Sequence, residues 1–600
     1  MDLILQVFLS VFSGVILSLS IPNEIYLLGN PYFTLVSLVP FYITFKYCKS
    51  YKCAFWLFFI QAITTHLISS FWLAYFKDFA IFTLGASAIG TGIIAGGIGI
   101  LLYFPFSTSK NKNILNSKSY SLKFLESSAF KVFYFSMLYT IYEWVKSSGF
   151  LGYPWGTISS ATYNWPIFKQ FVDITGTYGI TFFIAIFNAI LGELLINLNN
   201  LPEYLSSYKN RFTDLFYLKK LVCTFSIFWL LIMIYGTVKY NKKIVPQKEL
   251  ETILVQQNSN PWEETSDSDS ILHSQKLTQS EIDKLKENDK KADLVVWSEG
   301  VLRYSFPFSY NYYESYPFKE PLIPFIKNIK TPLLVGGSYE RNEENQEYCN
   351  SAFMFDKNGK FRGYYGKNHL VPFAESLPFR EYPKIQNILT NLIGISAGWV
   401  PGDQYVFFEL PCNWNKDRKL PAAKYVNLAQ SYAQQEKNEK KQPTVTISTP
   451  ICFDDAFTDV IRPMFLNGAE LFVNITDDSW SKTKSSEYQH FVIASYRALE
   501  YRTTLVRSAN AGYSVVVNPQ GKIIADLPLF EATALSCTVP VYEHKMTTYA
   551  QFGNWLPYTF IIIFFLYAFY MYKSFAPTDY IPSCRNLEKK SKKRNSKKNK

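Results

Sequence analysis

Three polar residues stand where short apolar runs give way to loops: Glu299 at the end of DLVVWSE, Lys367 after FRGYYG, and Cys452 at the end of PTVTISTPIC. A thiol has an unperturbed pKa of about 8.5 and is mostly protonated at neutral pH, so a nucleophilic cysteine needs an adjacent base or cation. A glutamate can take the proton. A lysine lowers the cost of negative charge on sulfur and then on a carbonyl oxygen. Taken singly, each residue has a plainer reading: Glu299 as a solvated loop residue, Lys367 as a surface charge, Cys452 as a small buried hydrophobe. The remaining cysteines (Cys48, Cys53, Cys223, Cys349, Cys412, Cys537, Cys584) form no C-x-x-C pair. The histidines (His66, His273, His369, His490, His544) are scattered, so neither a metal nor a cofactor is expected.

The elements that must position this trio read as an α/β layered domain. From about residue 250, ETILVQQN (251–258), DLVVWSEG (293–300), TPLLVGGSY (331–339), SAFMFDKNG (351–359), PTVTISTPIC (443–452), AELFVNITDD (469–478) and YSVVVNPQG (513–521) have the near-continuous Val/Ile/Leu content of strands buried on both faces. DKNG and NPQG are turn sequences of hairpin type. An amphipathic helix is expected over 487–502, with Phe491, Ala494, Ala498 and Leu499 inward. The Ser/Asp/Glu/Lys-rich stretch 263–290 and the stretch 411–443, with its QQEKNEKKQ, read as insertions, either solvated surface loops or mobile flaps near the membrane.

The rest of the chain is membrane-like. Uncharged runs long enough to cross a bilayer, about 18 residues, occur at 3–23, 25–45, 53–76, 79–109, 174–192, 221–238 and 546–572. A weaker candidate at 128–147 is interrupted by Lys131, Glu143 and Lys146. Positive charge is concentrated in alternate connections: Lys46, Lys49 and Lys52; then Lys110, Lys112, Lys118 and Lys123; then Lys209, Arg211, Lys219 and Lys220; and finally the tail. The positive-inside rule puts both termini in the cytoplasm only if the weak span crosses, which gives eight spans and leaves 239–553 on the far side. The formal charge of +12 does not point to nucleic acid, because the tail from Lys573 onward carries ten Lys/Arg against Asp579 and Glu588. A basic block beside an apolar segment fixes topology or touches anionic headgroups.

Taken together and in order, the motifs resemble the nitrilase superfamily and, within it, the bacterial apolipoprotein N-acyltransferases over almost the whole chain. The matching words are QQN…W (256–262), WSE (297–299), GKNHLVPFAE (366–375), PICFDD (450–455), GAELFVNITDDSW (468–480), YQHFVIASYRALEYRTTLVRSANAG (488–512), NPQGKI (518–523) and GYPWG (152–156). The resemblance implies a bundle of eight membrane helices plus an αββα sandwich. The bundle would occupy 1–240, the catalytic domain 241–550, the last helix 551–573 and a basic cytoplasmic tail 574–600. It implies Cys452 as nucleophile, Glu299 as general base and acid, and Lys367 as the cation facing the oxyanion. Glu375 would support them, the Phe453 N–H would be a second oxyanion donor, and Asp454 would stand where the family commonly has Glu. Trp262, Trp155 and Trp480 would handle substrate. Trp262 and Trp155 also suit membrane-interface anchoring. The implied partners are a phospholipid acyl donor, a diacylglyceryl apolipoprotein acceptor and membrane lipids, with no nucleic acid and a monomer as the working state. The implied location is a bacterial inner membrane with the catalytic domain in the periplasm. The family's Asn-Asp-Ala-Trp-Phe appears here as Asp477, Asp478, Ser479, Trp480 and Ser481. A membrane-tethered amidase and a catalytically silent lipoprotein-binding paralogue are the rival readings.

Overall fold

The computed structural model describes residues 1–76, 81–108, 124–125, 127–199, 208–260, 267–344, 347–378, 382, 384–385, 387–388, 398–418 and 442–575. Within them, six helices are long and apolar enough to cross a membrane: Leu3–Ser20, Tyr51–Ser69, Thr83–Ser107, Thr177–Asn197, Phe216–Asn241 and Trp555–Lys573. The helices around Tyr51–Ser69 and Thr83–Ser107 pack closely, because a side chain at Gly99 would meet the Ala54 carbonyl oxygen at 2.7 Å.

Two further segments that the sequence reading counts as spans are not among these six. Ser128–Lys146 is a helix buried along most of its length, so its polar groups meet protein instead of lipid. The two Glu143 oxygens accept from the Ile158 N–H at 2.8 Å and from the Thr181 hydroxyl. Lys146 Nζ donates to the carbonyls of Trp155 (2.8 Å) and Gly156 (3.3 Å). The apolar run at 25–45 is not one continuous helix. It breaks into Pro31–Phe33, Thr34–Ser37 and Val39–Tyr47. Asn188, on the helix Thr177–Asn199, repairs the break by accepting from Leu38 N–H (2.8 Å) and donating to Thr34 O (2.7 Å). Protein groups thus satisfy this irregular backbone.

The α/β domain is two sheets face to face. One runs in the order 533–541, 248–256, 294–296, 333–342, 347–355, 361–366; the other 523–526, 515–517, 504–509, 471–476, 444–448, 407–411. The period-2 pattern sorts the faces. Ile253, Val255, Val295, Trp297, Leu333 and Val335 pack with the helices Asp267–Glu287 and Leu322–Ile329, while Leu250, Leu254, Leu294, Val296 and Leu334 join the other sheet's Ile447, Leu471 and Val473. Helices Thr458–Leu466 and Lys484–Tyr501 complete the αββα order, with Phe472 meeting Tyr501 at 5.9 Å between rings. DKNG and NPQG form the hairpin turns, with Gly359 and Gly521 at φ +74° and +73°.

The expectation of a solvated loop over 263–290 is corrected. It holds the helix Asp267–Glu287, whose Ile271, Ile282 and Leu285 are buried against the first sheet. Its apolar stripe is narrow, and buried Ser274, Gln275 and Thr278 keep the composition polar. Of 411–443, residues 419–441 lie outside the described residues; Asn413–Trp414 pairs with Lys248 and Glu249.

The bundle and the sandwich share one apolar core. Polar ties cross the seam: Trp72 Nε1 donates to Gln489 (3.1 Å), Gln489 donates to Ser69 O (2.6 Å), and Arg502 pairs with Asp173 (3.0 Å).

Candidate active site

The strands 248–256, 294–296 and 333–342 run parallel, as do 444–448, 471–476 and 504–509. Active groups of such sheets collect beyond the strands' carboxyl ends. Glu299 lies three residues beyond Leu294–Val296, Cys452 four beyond Thr444–Ser448, and Lys367 follows Phe361–Gly366 directly. Lys367 is held by its own strand pairing and by its N–H to Asn350 O, 2.8 Å.

Side chains converge between these ends. Lys367 Nζ lies 2.8 Å from Glu375 Oε1 and 3.5 Å from Glu299 Oε1. Asn350 Nδ2 donates to both carboxylates, at 2.7 Å to Glu299 and 3.1 Å to Glu375. The other Glu299 oxygen accepts from the Asp477 N–H at 2.8 Å, and the other Glu375 oxygen from the Val371 N–H at 2.8 Å. Each carboxylate is thereby fixed in orientation while Lys367, 1% exposed, bridges them.

Cys452 opens the short 3₁₀ turn Cys452–Ala456 with φ +47°, in the left-handed region that a side chain disfavours. Asp454 holds the turn. One of its oxygens accepts from Ile451 N–H (3.1 Å) and the Tyr365 hydroxyl (2.9 Å), the other from Asn368 N–H (3.2 Å) and His369 N–H (2.7 Å). Asp454 therefore ties the cysteine turn to the loop after Lys367. Burial pushes Asp454 up to about 7.

The charges of Glu299, Lys367, Asp478 and Glu375 all act on the Cys452 sulfur. Burial and then the Glu299 charge push the Cys452 thiol well above its ordinary range, and Lys367 pulls it back only in part. Burial pulls Lys367 down, but a Cys452 thiolate whenever it forms, and the Glu375 and Glu299 carboxylates throughout, outweigh it and hold the ammonium well above the usual lysine value. The resting pair is thus a neutral thiol beside a permanent cation. A base must remove the proton as the sulfur attacks.

Trp155 stacks on Phe453 (5.3 Å, 12° between planes) and meets Trp72 at 5.9 Å; Trp72 meets Trp480 at 5.4 Å. Two of the three expected tryptophans therefore line the seam between bundle and sandwich, next to the Cys452–Ala456 turn. Trp262 lies outside the described residues. The Trp155 indole N–H is buried with no acceptor among the described residues.

Sequence reasoning missed Asn350 and Trp72, which carry no local signal. It also passed over Asp455, Asp478, His490 and Arg507. Charges embedded in otherwise apolar runs were the available clue, since charged groups are rarely buried without partners. Cys452, Asp478 and His490 offer donor atoms within 4.8 Å of one another, a spacing a metal ion could use. The donor set does not fit one: both His490 nitrogens face carboxylates at 2.7 and 3.0 Å, and an Arg507 nitrogen lies 2.9 Å from Nδ1. A cation there would meet a guanidinium.

Residues 254–542 match the carbon-nitrogen hydrolase family model, and residues 13–190 match that of the apolipoprotein N-acyltransferase N-terminal domain. Over 563 residues the chain is 38% identical to apolipoprotein N-acyltransferase 2 of Treponema denticola, covering 94% of this chain and 97% of that one. The chain belongs to the apolipoprotein N-acyltransferase family. It is also 32% identical to apolipoprotein N-acyltransferase 2 of Treponema pallidum over 579 residues, 93% of each chain. Among solved structures, an amidase of the nitrilase superfamily from Nesterenkonia is 16% identical and covers 50% of this chain and 94% of that one, with a TM-score of 0.31. This acyltransferase is a membrane protein in which a nitrilase-like sandwich is joined to a helical bundle.

Proposed function

We propose that this enzyme moves a fatty acyl chain from a phospholipid to the α-amino group of the diacylglyceryl-cysteine that begins an apolipoprotein, through a thioester on Cys452. The supporting observation is the Glu299–Lys367–Glu375–Asn350 cluster beside Cys452, at the seam with the membrane bundle.

In the first half, Glu299 takes the thiol proton as sulfur attacks the ester carbonyl. Lys367 and the Phe453 N–H face the oxyanion, as preorganised donors must. The C–O bond breaks, and the lysophospholipid oxygen takes the proton from Glu299. In the second half, the acceptor's amine attacks the thioester, the C–N bond forms and the C–S bond breaks. Glu299 receives the amine proton and returns it to sulfur. Glu375 and Asn350 keep Glu299 and Lys367 in register. Trp155 and Trp480 flank the approach from the bundle, Trp262 is assigned to the same task, and exclusion of water protects the thioester.

In this reading eight segments cross the inner membrane, the six apolar helices plus those within 31–47 and 128–146. The domain boundaries at 240, 550 and 573 then put both termini in the cytoplasm and the sandwich in the periplasm. The enzyme acts as a monomer. Incubating the purified protein with phospholipid and a synthetic diacylglyceryl lipopeptide should raise the peptide's mass by one fatty acyl group, with no gain for Cys452→Ala. Hydrolysis of small amides without that gain favours a tethered amidase. Lipopeptide binding with no mass change favours a silent paralogue.

A further inference from the structure

Behind the nucleophile lies a closed ring of four charged side chains that the acyl-transfer steps do not use. His490 Nε2 lies 3.0 Å from an Asp455 oxygen and Nδ1 lies 2.7 Å from an Asp478 oxygen. Arg507 closes the ring with one nitrogen 2.5 Å from the other Asp455 oxygen and one 2.6 Å from the other Asp478 oxygen. All four residues are buried, and Arg507 is fully enclosed. Burying two ion pairs costs several kcal/mol per ion before any gain is counted. Apolar packing would fill the same space more cheaply, so the placement needs a reason.

The reason lies in what the two carboxylates are attached to. Asp455 belongs to the Cys452–Ala456 turn. Asp478 adjoins Asp477, whose N–H holds Glu299. His490 comes from the helix Lys484–Tyr501 and Arg507 from the strand Thr504–Ala509. The ring therefore joins the nucleophile's turn to the loop that aims the general base. Cys452 at φ +47° needs such restraint.

We propose that His490 is a positioning residue for acyl transfer: by bridging Asp455 and Asp478 it locks the Cys452 turn to the Glu299 loop. The inference rests on Cys452 and Glu299 acting as nucleophile and base. A planar ring with an N–H at each end spans two carboxylates, and its face meets Trp155 at 5.8 Å between centroids. Both nitrogens donate only when the ring is an imidazolium. The Arg507 nitrogen 2.9 Å from Nδ1 opposes that charge. Burial and Arg507 pull His490 down, yet Asp478 and Asp455 together hold it up at about 9. The Cys452 thiol also lies against it, and Glu487, one turn earlier on the same helix, is held well above the carboxylate range by burial and then by the Asp478 and Asp477 charges. From the bundle comes uncharged Trp155, whose carbonyl accepts from Lys146 at 2.8 Å. With its folded value above that of free imidazole, the ring contributes fully below about 6.5. That contribution is lost as pH rises through about 9.

The test follows acyl-thioester formation on the intact detergent-solubilised enzyme with phospholipid alone, from pH 6 to pH 10. The unaltered enzyme should show an alkaline fall near pH 9. His490→Gln keeps a donor but no charge. It should form thioester roughly 10- to 100-fold more slowly, the weight of one charge-assisted bond, with unchanged KM for phospholipid and no alkaline fall. His490→Arg should recover part of the rate and also lack the fall. The inference is overturned if the unaltered enzyme stays fully active to pH 10. It is equally overturned if His490→Gln keeps the original profile, or loses rate only in proportion to lost thermal stability. Absence of thioester on the unaltered enzyme would instead strike the assignment of Cys452.

Discussion

At the scale of single residues, the thiol is not pre-ionised. In the proposed reaction a neutral thiol beside an ammonium must lose its proton as the sulfur attacks, which is why the orientation of the Glu299 carboxylate matters. Asn350 is the most exposed weak point of that geometry, since one side-chain amide donates to both carboxylates. Asn350→Ala should lower kcat for acyl transfer roughly 10- to 100-fold while the protein still folds, the cost expected for losing a donor to a charged group. Single-turnover rates and a melting curve on the same preparation separate the two effects. Glu299, Lys367 and Cys452 stood out together as polar residues at the ends of apolar runs, while Glu375 was marked only by the family resemblance of GKNHLVPFAE. Asn350 was not, because an asparagine in a strand has many plain uses. The ring of Asp455, Asp478, His490 and Arg507 joins residues up to 52 positions apart, and no local pattern marks such a closure.

At the scale of elements, the strands were readable where both faces are buried and the Val/Ile/Leu content is continuous. Those with one exposed face or a short length, such as 361–366, 407–411 and 523–526, carry too little apolar contrast. The helix Asp267–Glu287 was hidden by its polar surface, yet it has a direct tie to the site. The Trp297 indole N–H, two residues before Glu299, donates to its Thr278 hydroxyl at 2.9 Å. Thr278→Val preserves the shape and leaves that buried N–H unpaired. It should destabilise the domain by about 1–3 kcal/mol. A lowered melting temperature with a lowered acylation rate checks this; unchanged values for both would show that the helix does not restrain the strand bearing Glu299.

At the scale of the whole molecule, the bundle and sandwich are not loosely tethered. They share an apolar core, and Trp155, Trp72 and Trp480 bring the membrane part to within a ring's width of the Cys452–Ala456 turn. The membrane helices were legible where lipid contact demands apolar length. The central helix Ser128–Lys146 was ambiguous because its neighbours, not lipid, satisfy its charges. Such an arrangement suits two substrates whose chains lie in the bilayer and whose reacting groups lie at its surface. Its central claim is that Cys452 carries the acyl chain between them. Intact-mass measurement of the full chain after exposure to phospholipid, without acceptor, should show one added fatty acyl group on the peptide containing Cys452, removable by hydroxylamine and by diacylglyceryl lipopeptide. An unmodified Cys452 in enzyme that still acylates the lipopeptide would contradict the account.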